Sequence, residues 1–152
     1  MTEYRLLCEQ IKALSEESSD MVPLMANASA MLYHAMPEVN WCGFYIVKKG
    51  ELLLGPFQGN VACIRIKKGQ GVCGTAWDQD CTQVVPDVHE FPGHIACDAA
   101  SRSEIVIPVH RAGEVIAVLD IDSPVKNRFS REDKEGLETF AAVLEKILCS
   151  GS

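Results

Sequence analysis

The sequence has no apolar run of membrane-spanning length and no excess of positive charge. Its start, MTEYRLLCEQIK, mixes charged with apolar residues, whereas a secretory signal peptide needs an unbroken apolar run. Fourteen basic residues against 21 acidic ones give a formal net charge of -7, which is the wrong sign for a surface that covers phosphates. We therefore expect a cytoplasmic protein that binds neither membranes nor nucleic acid.

The sequence also lacks the C-x-x-C and H-x-x-x-H pairs that are typical of zinc sites. Seven cysteines are many for 152 residues, and an odd number cannot be fully paired within one chain. A domain of this length buries about 70% of the surface that its unfolded chain exposes, so its core needs neither disulfide nor metal. The cysteines are then metal ligands, reactive thiols or small buried side chains.

Hydrophobic periodicity predicts helices at both ends of the chain. Apolar spacings of three and four predict one helix over residues 4–14 and a second over residues 22–35, which Pro37 ends. The cluster SSD at residues 18–20 offers side-chain oxygens that can cap the second helix. A third helix is predicted to begin at Ser130, where a hydroxyl and acidic residues precede an apolar stripe.

Strands are predicted between these helices, because β-branched and aromatic residues alternate there with other residues. The predicted turns at residues 48–50 and 110–114 join pairs of strands into hairpins. Residues 1–152 should therefore form a single α+β domain, with a mainly antiparallel sheet of about six strands and the N- and C-terminal helices packed on one side. The strands predicted individually cover residues 41–47, 51–54, 61–66, 104–109 and 115–121.

The segment from about residue 67 to residue 103 breaks the pattern, since it is rich in Gly, Asp, His and Cys. Glycines before Cys73 allow a sharp turn into a short helix, whose free amide groups would lower the pKa of a thiol at its start. Cys73 is therefore a candidate thiolate, although a small buried residue at a tight turn fits the spacing equally well.

Cys97 is a second candidate thiol. It follows His94 by three residues and precedes Asp98, so the imidazole can lie over the thiol on a helical turn and tune its ionisation. A metal interpretation uses His89, His94 and Cys97 as ligands, and the absence of a paired ligand spacing disfavours it.

Two acidic and two aromatic residues suggest a binding surface. Asp120 and Asp122 are two apart on a predicted strand and so share a face, where they can bind an amine or hold a proton, and Glu104 opens the neighbouring strand. Simple solvation of both aspartates is the alternative. Trp41 and Tyr45 share a strand face that suits a methyl or sulfur group, unless they only pack the core.

Five short motifs stand out along the chain: residues 41–45 (WCGFY), 71–76 (GVCGTA), 89–98 (HEFPGHIACD), 101–108 (SRSEIVIP) and 119–124 (LDIDSP). Together they resemble motifs of the free methionine (R)-sulfoxide reductases, which are built on a GAF domain. The resemblance runs nearly from end to end, and Cys63, Cys73 and Cys97 fall where that family has its redox cysteines, at spacings of 10 and 24.

The resemblance implies a fold and a redox cycle. It implies a GAF-like domain in which Cys97 attacks the sulfoxide, Cys63 resolves the resulting sulfenic acid, and Cys73 is a third thiol that resolves or takes part in the cycle. Thioredoxin would reduce the disulfide as an external reductant, with no metal or other bound cofactor. Family members are often dimeric, which favours a homodimer.

The resemblance also implies a substrate pocket. Glu104, Asp120 and Asp122 would bind the ammonium group of free methionine (R)-sulfoxide and stabilise or protonate its oxygen, and Trp41 and Tyr45 would hold its S-methyl group. Two other interpretations stay open: a non-catalytic GAF sensor of small ligands such as cyclic nucleotides, and a zinc-binding interaction module.

Overall fold

The structure is a computed structural model that describes residues 2–94 and 99–150. Its helices are α1 (Tyr4–Ser15), α2 (Met21–Ala35), α3 (Gly71–Gln79) and α4 (Arg131–Ser150), and a short 3-10 helix covers Val88–Glu90. Its strands are β1 (Trp41–Lys48), β2 (Glu51–Gly59), β3 (Arg65–Lys67), β4 (Gln83–Val85), β5 (Ser103–Arg111) and β6 (Glu114–Ser123).

The six strands form one sheet in the order β3-β2-β1-β6-β5-β4, and every neighbouring pair is antiparallel. The hairpins β1-β2 and β5-β6 were both predicted. The long strands β1, β6 and β5 lie next to one another, so side chains on these three strands share a continuous face.

The sheet separates two apolar layers. Helices α1, α2 and α4 pack on one face against side chains such as Phe44, Ile105 and Leu119, which are fully buried or nearly so. Helix α3 covers the other face, where Trp41 and Tyr45 belong to a second, smaller buried cluster. The predicted α+β class, antiparallel sheet and one-sided placement of the terminal helices are confirmed.

The predicted helix starts differ in how well their caps form. At the start of α4, the Ser130 hydroxyl accepts a hydrogen bond from the Asp133 backbone N–H, and an Asp133 carboxylate oxygen accepts one from the Ser130 backbone N–H. The capping of α2 was predicted wrongly, because the Asp20 side chain makes no capping bond. The Ser18 hydroxyl instead accepts from the Asp20 backbone N–H in the preceding turn.

The third predicted strand was too long. Only Arg65–Lys67 pairs with β2, whereas residues 61–64 have no regular structure. Val61 and Ile64, whose β-branched side chains suggested a strand, are 87% and 68% exposed. The short strand β4 was missed, since its three residues carry too little pattern to be recognised. Within the described part of the chain, no helix is both long and apolar enough to cross a bilayer.

Candidate active site

Strand register brings three carboxyl groups together on the face of the sheet that α3 covers. Asp122 on β6 lies directly opposite Glu104 on β5, and Asp120 lies one pleat along the same face. Leu119 and Ile121, which alternate with the aspartates, pack into the opposite core. Asp120 is only 5% exposed and Asp122 is half-buried, so the alternative in which both aspartates are simply solvated is wrong, and Glu104 beside them is only 7% exposed.

Burial sets the protonation of this cluster. It raises the pKa of Glu104 well above its usual value, and the nearby carboxylates of Asp120 and Asp122 raise it further. Burial also raises the pKa of Asp120, while side-chain hydrogen bonds from Glu104, Cys73 and Asp122 oppose that rise. The Oδ1 atom of Asp120 is buried and accepts no hydrogen bond from the described residues. The cluster can therefore hold a proton and still offer an acceptor to a cation.

Three aromatic rings form a wall beside the carboxyl groups. The rings of Trp41 and Tyr45 stack with centroids 6.0 Å apart, which confirms that they share a face, and Phe57 stacks on Trp41 at 5.1 Å. Tyr45 donates its hydroxyl proton to the backbone oxygen of Cys63 over 2.9 Å, and Trp41 donates its indole N–H to the backbone oxygen of Asn60. Phe57 was not singled out from the sequence, although it lies on the strand after the WCGFY motif.

Cys73 lies on α3, whose start the glycines allow as predicted, with Gly71 at a φ of 64°. The predicted low pKa of Cys73 is wrong. The thiol is 4% exposed, and burial raises its pKa well above the usual value, as do the neighbouring Asp120, Glu104 and Asp122. The carboxyl groups and the loss of water outweigh the amide groups of a nine-residue helix, so Cys73 is a protonated thiol near neutral pH.

These side chains line a common cavity, named here the acid pocket and defined by Trp41, Tyr45, Cys73, Glu104, Asp120 and Asp122. Its volume is about 40 Å³, which is room for little more than one water molecule. Val61, Ala62 and His94 line the same cavity from loops. A ligand the size of an amino acid therefore requires these loop residues to shift outward.

Of the two remaining predicted redox cysteines, the structure describes Cys63 but not Cys97. Cys63 is half-buried in the irregular segment 61–64, and its sulfur is part of a disulfide. Cys97 and Asp98 lie outside the described residues, as does the predicted contact between His94 and Cys97. Cys8 and Cys42 are buried free thiols and Cys81 is an exposed one, while Cys149 is also exposed.

The predicted zinc trio was His89, His94 and Cys97, and its third member is not described. His89 is exposed and its imidazole contacts the Asp87 carboxylate at 3.2 Å, away from the acid pocket. His94 lines the pocket. Its pKa is lowered mainly by burial and further by the nearby His89. Within residues 2–94 and 99–150, the group of three close ligating side chains is instead Cys73, Glu104 and Asp120.

The fold and the pocket define a class of protein. A six-stranded antiparallel sheet with terminal helices on one face and a small-ligand cavity on the other is the GAF architecture, and the GAF domain model matches residues 14–148. The chain belongs to the GAF domain family.

Its relatives are more specific. Protein YtsP of Bacillus subtilis is 55% identical over 148 residues, covering 96% of this chain and 91% of that protein. The free methionine-R-sulfoxide reductase of Escherichia coli is 48% identical over 147 residues, covering 97% of this chain and 89% of that enzyme. The X-ray structure of free methionine-R-sulfoxide reductase from Neisseria meningitidis in complex with its substrate has a TM-score of 0.91 at 44% identity, covering 95% of this chain and 87% of that one.

Proposed function

We propose that this protein reduces free L-methionine (R)-sulfoxide to methionine. The observation that carries the proposal is the acid pocket, in which buried carboxyl groups and a stacked Trp41–Tyr45 pair line a single cavity. The 48% identity to a reductase of that name, across 97% of the chain, supports the same conclusion.

The pocket has the chemistry to bind a small zwitterion. An ionised carboxylate among Glu104, Asp120 and Asp122 binds the substrate's ammonium group, and the aromatic wall holds the S-methyl group. A methionine sulfoxide within a protein chain has an amide nitrogen in place of that ammonium. Its binding would leave a buried carboxylate without a cationic partner, so peptide-bound sulfoxide should be rejected.

The proposed chemistry moves the sulfoxide oxygen to a cysteine. The Cys97 thiolate attacks the sulfoxide sulfur while a protonated member of the acid pocket donates a proton to the oxygen. Methionine then leaves and Cys97 becomes a sulfenic acid, so the substrate sulfur gains the two electrons that Cys97 loses. The raised pKa of Cys73 makes that thiol a poor first nucleophile, which supports a different attacking residue.

A second thiol completes the proposed cycle. The Cys63 thiol condenses with the sulfenic acid, releases water and forms a disulfide, with Cys73 as the reserve resolving thiol. The disulfide at Cys63 supports a redox role for that residue. Thioredoxin then supplies two electrons and two protons as the external dithiol, and no bound cofactor or metal takes part. We place this cycle in the cytoplasm and in a homodimer.

The test is an NADPH-coupled assay with thioredoxin and thioredoxin reductase. Three substrates are compared: the free (R) epimer, the free (S) epimer and an N-acetylated peptide that contains the (R)-sulfoxide. We expect turnover of the free (R) epimer alone. Equal turnover of the peptide would remove the ammonium-binding role of the acid pocket, and no turnover of any substrate would refute the proposal.

A further inference from the structure

The acid pocket combines a thiol with two carboxyl groups at metal-binding distance. The Sγ atom of Cys73 and one oxygen each of Glu104 and Asp120 all lie within 4.8 Å of one another. All three side chains are at most 7% exposed and are held by different elements, namely α3, β5 and β6. Because three separate elements supply the donors, their convergence depends on the tertiary fold rather than on a local turn.

We propose that the acid pocket is a Zn²⁺ site in which Cys73, Glu104 and Asp120 are protein ligands and a fourth position stays open. Zn²⁺ binds thiolate sulfur at about 2.3 Å and carboxylate oxygen at about 2.0–2.2 Å, so donors around a tetrahedral ion lie about 3.5 Å apart. The three donors lie within 4.8 Å of one another, so zinc binding would draw each pair together by about 1.3 Å at most. Three protein ligands with one open position is the usual composition of a non-structural zinc site.

A buried atom independently points to a cation in this cavity. Asp120 is 5% exposed, lines the cavity, and has a buried Oδ1 atom that accepts no hydrogen bond from any described residue. Among the described residues that line the cavity there is no Lys or Arg to neutralise the carboxyl groups. A bound cation supplies the missing partner, and the protons that the ligands share are released to solvent on binding.

The identity of the donors favours zinc over harder ions. Mg²⁺ and Ca²⁺ take oxygen ligands and are bound through several carboxylates and waters, whereas Zn²⁺ accepts sulfur and oxygen together. A cavity of about 40 Å³ holds one ion with a water molecule but no amino acid. Zinc and the ammonium group of a substrate would use the same carboxyl groups, so zinc should inhibit the reductase. Only this expected inhibition by zinc rests on the proposed function.

Direct binding can be measured without any activity assay. Protein isolated in the disulfide form, with the exposed Cys81 and Cys149 changed to Ser, is titrated with ZnCl₂ by calorimetry and then with Co²⁺ by absorption spectroscopy. We expect one Zn²⁺ per chain, no binding of Mg²⁺, and a near-ultraviolet thiolate-to-cobalt band. Cys73→Ser should abolish that band, and Glu104→Gln and Asp120→Asn should each weaken Zn²⁺ binding by about tenfold or more.

His110→Gln is the matched control, because His110 with Asp80 and Glu145 forms a close cluster of imidazole and carboxylate groups outside the acid pocket. This variant should bind Zn²⁺ as the parent does. The inference is overturned if no Zn²⁺ binds, or if binding is lost in His110→Gln and kept in Cys73→Ser. Circular dichroism of each variant checks that a loss of zinc binding is not caused by a loss of the folded structure. Zinc binding in a chain without reductase activity would refute the proposed function alone, and turnover without zinc binding would refute this inference alone.

Discussion

Glu104 and Asp122 face each other directly across the β5-β6 hairpin, and a side-chain hydrogen bond joins them. Two ionised carboxylates at this register would repel, since directly opposed like charges destabilise a sheet. A shared proton removes the repulsion, and burial raises the pKa of Glu104 so that a proton stays there. Glu104 therefore destabilises the hairpin when it ionises. A destabilising residue of this kind is expected where a side chain is retained for function.

Replacing Glu104 by Gln should stabilise the fold at neutral and alkaline pH. The folded-state pKa of Glu104 is raised above the ordinary 4.5, so its favourable contribution is fully present below about pH 4.5 and is lost as pH rises toward the folded-state pKa. Gln cannot ionise and avoids that loss. Urea unfolding should show Glu104→Gln more stable than wild type by about 1 kcal/mol at about pH 8, with the advantage absent at about pH 4.

The same substitution should lower activity. Losing a positioned acid from the acid pocket should cost about 2–4 kcal/mol of transition-state stabilisation, measured as kcat/KM for the free (R)-sulfoxide, and Asp122→Asn should cost a similar amount. Glu114→Gln, at the exposed start of β6, is the control and should leave kcat/KM unchanged. An unchanged kcat/KM in Glu104→Gln and Asp122→Asn would take both acids out of the mechanism.

Two cysteine variants separate attack from recycling. Cys97→Ser should produce no methionine, because the attacking thiol is gone. Cys63→Ser should complete about one turnover per chain and then stop, since its sulfenic acid lacks the main resolving partner. Quantifying methionine with and without thioredoxin measures both steps. Cys81→Ser on the surface is the control, and equal multiple turnover by the Cys63 and Cys97 variants would contradict the scheme.

Tyr45 positions the segment that carries Cys63. Its hydroxyl donates to the Cys63 backbone oxygen over 2.9 Å, across the irregular residues 61–64. Tyr45→Phe keeps the ring and should lower the free energy of unfolding by about 1 kcal/mol, measured by urea denaturation of the disulfide form. Tyr33→Phe on α2 is the matched control. An equal decrease in the free energy of unfolding in both variants would show that the hydrogen bond to the Cys63 backbone oxygen does not stabilise the fold.

His110 links three elements outside the acid pocket, a contact that no sequence pattern indicated. Its Nε2 lies 2.5 Å from an Asp80 oxygen after α3, and its Nδ1 lies 2.6 Å from a Glu145 oxygen on α4. Burial would lower the pKa of His110, but these two carboxylates raise it above the ordinary 6.5. The histidine therefore stabilises the fold fully below about pH 6.5, and that contribution is lost as pH rises through the folded-state pKa.

His110→Gln tests this linkage. The imidazole is one third exposed, so we expect wild type to exceed the variant by about 0.5–1 kcal/mol at about pH 6 and by less at about pH 9. Thermal and urea unfolding at the two pH values give the difference. His34→Gln, on an exposed position of α2, is the control. A stability gap for His110→Gln that widens with pH would reverse the inferred sign.

The sequence was informative wherever local periodicity decides the structure. The terminal helices, the two hairpins and the shared face of Asp120 and Asp122 follow from periods of 3.6 and 2 in the side-chain pattern. The same rules failed at residues 61–64, where apolar side chains remain exposed, and at β4, which is three residues long. The capping prediction for α2 failed because the Ser18 hydroxyl accepts a hydrogen bond from the Asp20 backbone N–H within the preceding turn.

The sequence by itself determined the class of fold, the set of reactive side chains and the face that each presents, since these depend on spacing along the chain. Only the tertiary structure decided that Cys73 meets Glu104 and Asp120, and that its thiol is therefore held protonated rather than ionised. A pKa depends on burial and on charges from distant segments, and the packing of α3 against β5 and β6 creates both.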